Sequence, residues 1–224
     1  MKKSNLSFPK KWNLIKIYID FDGTITKKDV MNEILGHFAN AKWKGYDEEW
    51  LNGRISSCKC IKKQISLLRS ASKEEILKLI DMQEIDPYFK SFYKFCLDLN
   101  IEVEILSDGL DFYIGRILNN NGIAIKNIKS NIYKGAGKVI FPYLNRDCLK
   151  KCANCKSSHI NIDKFSIYIG DGKSDYCAAS KCDIVFAKKA LADYLKTNKI
   201  PYNLFDDFND VLVNIKKLFS KRMR

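Results

Sequence analysis

Acidic residues occur in closely spaced groups at three places in this 224-residue sequence, and a lysine lies between the last two groups. The residues concerned are Asp20, Asp22, Ser107, Asp108, Lys156, Asp171 and Asp175. Each acidic group directly follows a short apolar run of the kind that forms a buried strand. Four carboxylates that meet at one place repel one another unless a cation lies among them, and oxygen ligands of this type favour Mg²⁺. The sequence therefore predicts a magnesium site with the ligands Asp20, Asp22, Asp171 and Asp175.

These residue types can divide the work of phosphoryl transfer. A carboxylate such as Asp20 can accept the phosphoryl group as an aspartyl-phosphate, which splits one difficult hydrolysis into two steps. A second acid must protonate the leaving alkoxide and then deprotonate water, and Asp22, two residues further on in a turn, can do both. The Ser107 hydroxyl can donate a hydrogen bond to a phosphate oxygen, and the Lys156 ammonium can neutralise phosphate charge.

The elements that must position these residues alternate between strands and helices. Apolar runs at 14–19, 101–106, 166–169 and 184–187 predict buried strands. Helical patterns alternate with them at 110–120, 158–164, 175–180, 190–196 and 207–218. This alternation predicts an α/β fold with a Rossmann-like parallel sheet and helices on both faces. Because the carboxyl ends of such strands converge on one crevice, the polar residues that follow them are expected to meet there.

Residues 27–86 follow a different pattern, helical throughout and without a strand signal. Val30, Ile34 and Phe38 recur at helical spacing, and Ser72-Lys-Glu-Glu75 resembles a capping box. We therefore predict a helical cap at 27–86, inserted into an α/β catalytic core formed by 1–26 and 87–224. Within the core, runs at 128–133 and 138–141 predict a hairpin.

Four motifs in this order resemble those of the haloacid dehalogenase (HAD) superfamily of phosphohydrolases: Asp20-Phe-Asp-Gly-Thr-Ile-Thr26, Ser107-Asp-Gly109, Lys156 and Gly170-Asp-Gly-Lys-Ser-Asp175. The resemblance implies that Asp20 is the nucleophile and that Asp22 is the acid/base whose backbone carbonyl also binds Mg²⁺. It implies further that Ser107 and Lys156 bind phosphate, that Asp171 is a metal ligand, and that Asp175 holds the metal site or its waters together. A helical cap directly after the first motif resembles subclass IB, the phosphoserine-phosphatase-like branch.

Longer segments resemble one sub-branch of that group, which contains the methylthiopentenyl-phosphate phosphatases and the phosphocholine/phosphoethanolamine phosphatases. These segments are Ser107-Asp-Gly-Leu-Asp-Phe-Tyr113, Cys152-Ala-Asn-Cys-Lys156 and Gly170-Asp-Gly-Lys-Ser-Asp-Tyr-Cys177. Phosphoserine phosphatases usually have Asn where Ser174 stands and commonly have Gly where Asp108 stands. These departures argue against phosphoserine as the substrate.

Two acidic residues are candidates for substrate specificity. Asp108 resembles a head-group ligand of the phosphocholine-type enzymes, and it is otherwise a turn residue before Gly109. Asp29 falls where phosphoserine phosphatases carry a cap acid that faces the substrate, and it is otherwise the N-cap of the helix that begins at Val30. Both alternatives stay open for each residue.

The composition bears on whether the protein binds nucleic acid or a membrane and on where in the cell it is expected. Lys and Arg number 39 against 26 Asp and Glu, a net charge of +13, yet only six of the 39 are Arg. Since surfaces that grip phosphates or bases usually enrich Arg, this excess favours a Lys-rich bias over nucleic-acid binding. No apolar run approaches the roughly 20 residues that a membrane span needs. With no export signal either, we expect a cytoplasmic protein without a membrane partner.

Eight cysteines are present, and without an export signal we expect reduced thiols. Cys148, Cys152 and Cys155 with His159 are spaced as in a Cys₃His zinc site, which could brace the loop that presents Lys156. The alternative is that they are small packing or loop thiols.

Together these features predict a Mg²⁺-dependent phosphomonoesterase that acts on a small phosphorylated metabolite through an aspartyl-phosphate. The alternatives within enzymes are a phosphoserine phosphatase and a phosphotransferase. The alternative outside enzymes is a basic RNA- or partner-binding domain, against which the intact set of catalytic residues argues.

Overall fold

The computed structural model describes residues 11–68, 71–135, 137–148 and 150–220. The strands are β1 Ile15–Ile19, β2 Glu102–Leu110, β3 Ile128–Tyr133, β4 Val139–Ile140, β5 Phe165–Gly170, β6 Ile184–Ala187 and β7 Asn203–Leu204. The helices are α1 Val30–Phe38, α2 Lys42–Leu51, α3 Ser57–Ser66, α4 Lys73–Asp81, α5 Phe89–Asp98, α6 Asp111–Asn120, α7 Tyr176–Ala179, α8 Lys189–Thr197 and α9 Phe208–Ser220. The strand order is β4-β3-β2-β1-β5-β6-β7, which confirms the predicted α/β fold with a mostly parallel sheet.

Internal contacts divide the chain into two compact units. The first unit consists of 1–20, 85–105 and 156–224, and the second of 21–84 and 106–155. Strand β2 runs through both, because its first residues belong to the first unit and its last residues to the second. The predicted division into a cap at 27–86 and a core at 1–26 and 87–224 differs from these units and stays a prediction; residues 1–10 and 221–224 of that core lie outside the described residues.

The first unit is built on parallel strands. β1 pairs with both β2 and β5, β5 pairs with β6, and β6 pairs with β7. Nearly every side chain of β1 and β5 is buried, as expected of a parallel strand covered on both faces and rich in Ile. Helices α5 and α9 pack through aromatic rings, with the Phe208 ring centroid 4.8 Å from that of Phe89 and 5.0 Å from that of Phe92.

The second unit contains four consecutive helices, α1 to α4, together with α6 and the antiparallel pair β3 and β4. Three of these helices begin at a side-chain cap, as the sequence predicts for α4: Asp29, Ser56 and Ser72 accept hydrogen bonds from the backbone N–H groups of Asn32, Lys59 and Glu75. Their buried faces carry Ile34, Ile65 and Ile80, which form part of the core of this unit.

Two sequence predictions of local structure were wrong. Residues 158–164 do not form a helix; the chain makes only a short 3₁₀ turn at Lys156–Ser158. The backbone N–H of Asn161 donates instead to the Tyr18 hydroxyl at 2.8 Å, and the Asn161 side chain accepts from the N–H of Asp163 in a local turn. The second strand also ends at Leu110 rather than at 106, and β3 is its neighbour in the sheet.

Candidate active site

Three predicted metal ligands of the first unit form one cluster at the ends of β1 and β5. The carboxylate oxygens of Asp20, Asp171 and Asp175 all lie within 4.8 Å of one another. Asp20 follows β1, and its N–H donates to the Ile169 carbonyl at 2.9 Å, so the β1–β5 ladder itself holds Asp20 in place. Within the described residues this is the one group of three or more metal-ligating side chains. The sequence predicted this convergence from the strand ends.

Lys156 lies inside this cluster. Its side chain is almost fully buried, and its Nζ donates to Asp20 Oδ1 at 2.5 Å and to Asp175 Oδ1 at 2.7 Å. A buried ammonium is costly unless it is paired, and here it offsets part of the charge of the buried carboxylates. Lys156 is therefore positioned to balance negative charge next to Asp20.

Asp175 is completely buried and receives four hydrogen bonds. Its Oδ1 accepts from Lys156 and from the Tyr168 hydroxyl at 2.7 Å, and its Oδ2 accepts from the N–H groups of Asp171 at 3.1 Å and Gly172 at 2.9 Å. Because both oxygens are engaged, Asp175 is better suited to organise the turn after β5 and the lysine than to give up an oxygen for direct ligation.

Burial and mutual repulsion raise the pKa of two carboxyl groups in this cluster. Burial and the neighbouring Asp175 charge raise the pKa of Asp20 well above its ordinary value, against the opposing effect of Lys156. Burial and the same charge raise the pKa of Asp171. Both shifts mean that the ionised carboxylates are disfavoured as they stand.

A small hard cation fits this donor set. The ligand atoms are carboxylate oxygens only, they are close together, and their negative charges are incompletely balanced. Mg²⁺ prefers oxygen ligands of this kind over sites built from nitrogen and sulfur. On the outer side of the cluster, the exposed Lys189 donates to Asp171 Oδ2 at 2.8 Å. Lys189 was not predicted as a site residue, since nothing in the sequence distinguishes it among so many lysines.

A second set of predicted residues surrounds Asp22 in the second unit. The Ser107 hydroxyl donates to Asp22 Oδ2 at 3.2 Å, and the Val30 N–H donates to Asp22 Oδ1 at 3.1 Å. Ser107 Oγ in turn accepts from the Gly109 N–H at 2.8 Å. The Tyr113 hydroxyl also donates to Asp22 Oδ2, at 2.9 Å. We call Asp22 with these partners, Val30, Ser107 and Tyr113, the Asp22 set.

Tyr113 was not singled out from the sequence as a site residue. It lies on the buried face of α6 beside Ile114 and Ile117, and its side chain is completely buried. Burial and the charges of Asp22 and Asp29 raise its pKa well above the ordinary value, so its hydroxyl keeps its proton. The available signal was a polar hydroxyl on an otherwise apolar helix face, which requires a partner when it is buried.

The structure gives Asp108 a clear local role. Its carboxylate accepts from the Asn154 N–H at 3.0 Å, and its carbonyl accepts from the Asn131 side chain at 2.6 Å. Asn154, also missed from the sequence, donates through its side chain to the carbonyls of Ser107 and Lys129. Asp108 therefore helps to tie the 150–155 loop to the end of β2. Its predicted role as a substrate ligand is a separate matter and stays a prediction.

Asp29 is the N-cap of α1. Its Oδ1 accepts from the Asn32 N–H at 2.8 Å, which is one of the two roles that the sequence left open. Its charge is also among those that raise the pKa of Tyr113, so it lies near the Asp22 set. A contact with substrate stays a prediction for Asp29.

The cysteines offer no metal site among the residues that the structure describes. Cys148, Cys152 and Cys155 are not gathered into a ligand set, so the zinc alternative gains no support. None of the eight cysteines forms a disulfide. None of the described helices combines the length and the apolar character that crossing a membrane requires.

Comparisons with known proteins agree on one family. Residues 17–180 match the model of the haloacid dehalogenase-like hydrolases. A 2-hydroxy-3-keto-5-methylthiopentenyl-1-phosphate phosphatase from Brevibacillus brevis is 32% identical over 205 residues, which cover 88% of this chain and 92% of the relative. A protein of the same name from Bacillus mycoides is 29% identical, covering 93% of this chain and 99% of the relative.

Solved structures support the same fold. A phosphoserine phosphatase structure described as a phospho-aspartyl intermediate analogue superposes with a TM-score of 0.70 at 20% identity, covering 92% of this chain and 99% of that chain.

Proposed function

Because the chain is a phosphatase of the haloacid dehalogenase-like hydrolase family, we propose that it hydrolyses a small phosphomonoester in two steps through an aspartyl-phosphate on Asp20. The observation that carries this proposal is the cluster of Asp20, Asp171 and Asp175, in which the Lys156 ammonium is paired with Asp20 and Asp175. A carboxylate held next to a fixed positive charge is suited to attack an anionic phosphoryl group, which would otherwise repel it.

In the first step, an Asp20 oxygen forms a bond to phosphorus while the bond between phosphorus and the substrate oxygen breaks. Asp22 gives its proton to that leaving oxygen, and Lys156 and Ser107 balance the charge on the phosphoryl oxygens. In the second step, Asp22 takes a proton from water as the water oxygen attacks phosphorus, which releases inorganic phosphate and restores Asp20. The same residue thus serves as acid and then as base.

Mg²⁺ is the proposed cofactor, held by Asp20, Asp171 and the backbone carbonyl of Asp22, with Asp175 organising the site. When bound, it supplies positive charge that reduces repulsion between the nucleophile and the phosphate. The support is the all-oxygen donor set and the raised pKa of the Asp20 carboxyl, which burial and the Asp175 charge cause.

For the substrate, we propose a phosphomonoester with an uncharged chain, of the kind that the names of the relatives describe. The second unit contains a mostly apolar cavity of about 500 Å³, whose wall also carries Lys73 and Lys134. Its walls include Met31 and Phe112, which are next in sequence to Val30 and Tyr113, two residues that donate hydrogen bonds to Asp22. Leu110, next to Gly109, also lines it. Pockets of this size and polarity take the apolar part of small ligands.

The decisive experiment is a phosphate-release assay with Mg²⁺ over a panel of phosphomonoesters, with Asp20→Asn as the control. The panel contains 2-hydroxy-3-keto-5-methylthiopentenyl-1-phosphate, phosphocholine, phosphoethanolamine, phosphoserine and sugar phosphates. We expect the first to be hydrolysed best and Asp20→Asn to abolish turnover without unfolding, since Asn fills the same space. Near-normal activity in that variant would contradict the mechanism, and a preference for cationic substrates would instead favour Asp108 and Asp29 as head-group ligands.

Filling the cavity tests the substrate proposal separately. Ala71 lines the cavity, so Ala71→Leu should raise the KM for the methylthiopentenyl substrate while leaving small substrates such as phosphoethanolamine unaffected. Ala190→Leu, on the exposed surface of α8, is the matched control. An equal effect of both variants on all substrates would show that the cavity holds no part of the substrate.

The predicted cap at 27–86 belongs to the same proposal. Closure of such a cap over the bound substrate excludes water during the first step and contributes to specificity. A cytoplasmic location and independence from nucleic acid likewise stay predictions.

A further inference from the structure

Tyr113 contributes a buried hydroxyl to the Asp22 set that the proposed mechanism does not use. It lies in the first turn of α6, its side chain is completely buried, and its hydroxyl donates to Asp22 Oδ2 at 2.9 Å. The two residues are 91 positions apart in sequence, so it is the fold that brings them into contact. The contact is partly buried, and a hydrogen bond there is stronger than one at the exposed surface.

Ser107, which also donates to this oxygen, has a second task. Ser107 donates to Asp22 Oδ2 at 3.2 Å, but under the proposed mechanism its hydroxyl donates to a phosphate oxygen. A serine hydroxyl carries a single hydrogen and cannot donate to both acceptors at once. When phosphate is bound, Tyr113 therefore continues to donate to Asp22 while Ser107 turns away.

The backbone beside Asp22 is shaped around this contact. A Cβ atom added at Gly109 would lie 2.0 Å from the Tyr113 hydroxyl oxygen and 2.5 Å from Asp22 Oδ2. No side chain at position 109 is compatible with that arrangement. The glycine at 109 is thus a second observation, separate from the hydrogen bond, that the Tyr113 hydroxyl and the Asp22 carboxyl are closely packed.

We propose that Tyr113 is a positioning residue that holds the Asp22 carboxyl in the orientation from which it protonates the leaving oxygen. This inference rests on the proposed function. The Val30 N–H donates to the other oxygen of this carboxyl group at 3.1 Å, so hydrogen bonds orient both oxygens of Asp22. A catalytic acid with a fixed orientation avoids the loss of rate that a freely rotating carboxyl incurs.

The test compares two esters of similar size that differ in their need for an acid. 4-Nitrophenolate is a weak base and leaves without a proton, whereas the alkoxide of benzyl phosphate requires one. We expect Tyr113→Phe to lower kcat/KM for benzyl phosphate by about tenfold or more. For 4-nitrophenyl phosphate the loss should be less than about threefold. The tenfold loss is part of the roughly 10²–10⁴-fold that a general acid contributes to the rate. The parameter kcat/KM is chosen because it excludes the later hydrolysis of the intermediate.

Two further variants separate positioning from folding. Tyr18→Phe removes another buried hydroxyl, one that accepts from the Asn161 N–H, and should leave the ratio of the two kcat/KM values unchanged. Gly109→Ala should reproduce the ratio seen in Tyr113→Phe, and the double variant should lose less than the product of the single losses, because both act through Asp22.

An equal loss of kcat/KM for both esters in Tyr113→Phe, or no loss, would overturn the inference. The proposed function is checked first in the wild type with the phosphomonoester panel together with these two esters: if none is hydrolysed more than by Asp20→Asn, the proposed function fails and the inference fails with it. Activity that depends on Asp20 but an unchanged ester ratio in Tyr113→Phe would contradict the inference alone.

Discussion

Asp175 and Gly170 show how closely single residues constrain the candidate site. Asp175 accepts from Lys156, Tyr168 and two backbone N–H groups, so any displacement of its carboxylate disturbs several partners together. Gly170, the last residue of β5, leaves the space that this carboxylate occupies. A Cβ there would lie 2.6 Å from Asp175 Oδ2 and 2.9 Å from a Tyr168 ring carbon.

We therefore predict that Gly170→Ala lowers kcat by more than about tenfold and the free energy of unfolding by about 1–3 kcal/mol, the usual cost of overpacking a filled core. Gly172→Ala is the matched control, since a Cβ at Gly172 lies 3.9 Å from the same oxygen and should change stability by less than about 0.5 kcal/mol. Urea unfolding and phosphate release measure the two effects. Equal stability of the two variants would show that the turn relaxes around an added methyl group.

At the residue scale, the sequence identified side chains whose roles follow from motif spacing, and it missed those whose roles follow from packing. Asp20, Asp171, Asp175 and Lys156 were predicted to meet because they end neighbouring strands or match a motif, and the structure brings them together. Tyr113 and Asn154 act through contacts with residues 91 and 47 positions away in sequence, which no local pattern reveals.

At the scale of elements, prediction succeeded where the pattern was strong and local. Strands β1, β5 and β6 follow from mostly apolar runs, and α4 from its Ser72 cap. The helix predicted at 158–164 failed because the Asn161 N–H donates to Tyr18, a residue 143 positions away. Strand β7 has only two residues, too few for any periodicity to appear.

Helix α1 allows the two roles of Asp29 to be separated. Asp29→Ala should lower the free energy of unfolding by about 1 kcal/mol because the cap is lost, whereas Asp29→Ser should retain nearly all stability because Ser also caps well. Thermal or urea unfolding checks this. The KM for phosphoethanolamine in the serine variant then reports on substrate contact: an increase assigns Asp29 a role there, and an unchanged KM leaves only the cap. Equal destabilisation by Ala and Ser would contradict the capping role.

At the scale of the whole molecule, the net charge of +13 raises the question of an anionic partner. Because lysine supplies 33 of the 39 positive charges, we expect only non-specific attraction to nucleic acid. Binding to a single-stranded RNA should therefore fall steeply between 50 and 200 mM salt, by roughly 10³-fold or more if several phosphates are contacted, while phosphatase activity persists. Fluorescence anisotropy and phosphate release over one salt series measure both. Tight RNA binding at the higher salt, without phosphatase activity, would favour the RNA-binding alternative.

The close approach at Gly109 also constrains how this molecule can change. Any side chain at position 109 collides with the Tyr113 hydroxyl, and phenylalanine at 113 would still leave a ring carbon 2.8 Å from the new Cβ. A smaller residue at 113 would remove only part of this conflict, because the same Cβ would still lie 2.5 Å from Asp22 Oδ2. A side chain at 109 therefore displaces the carboxyl of Asp22 whichever position changes first, so position 109 is expected to stay glycine for as long as Asp22 is needed.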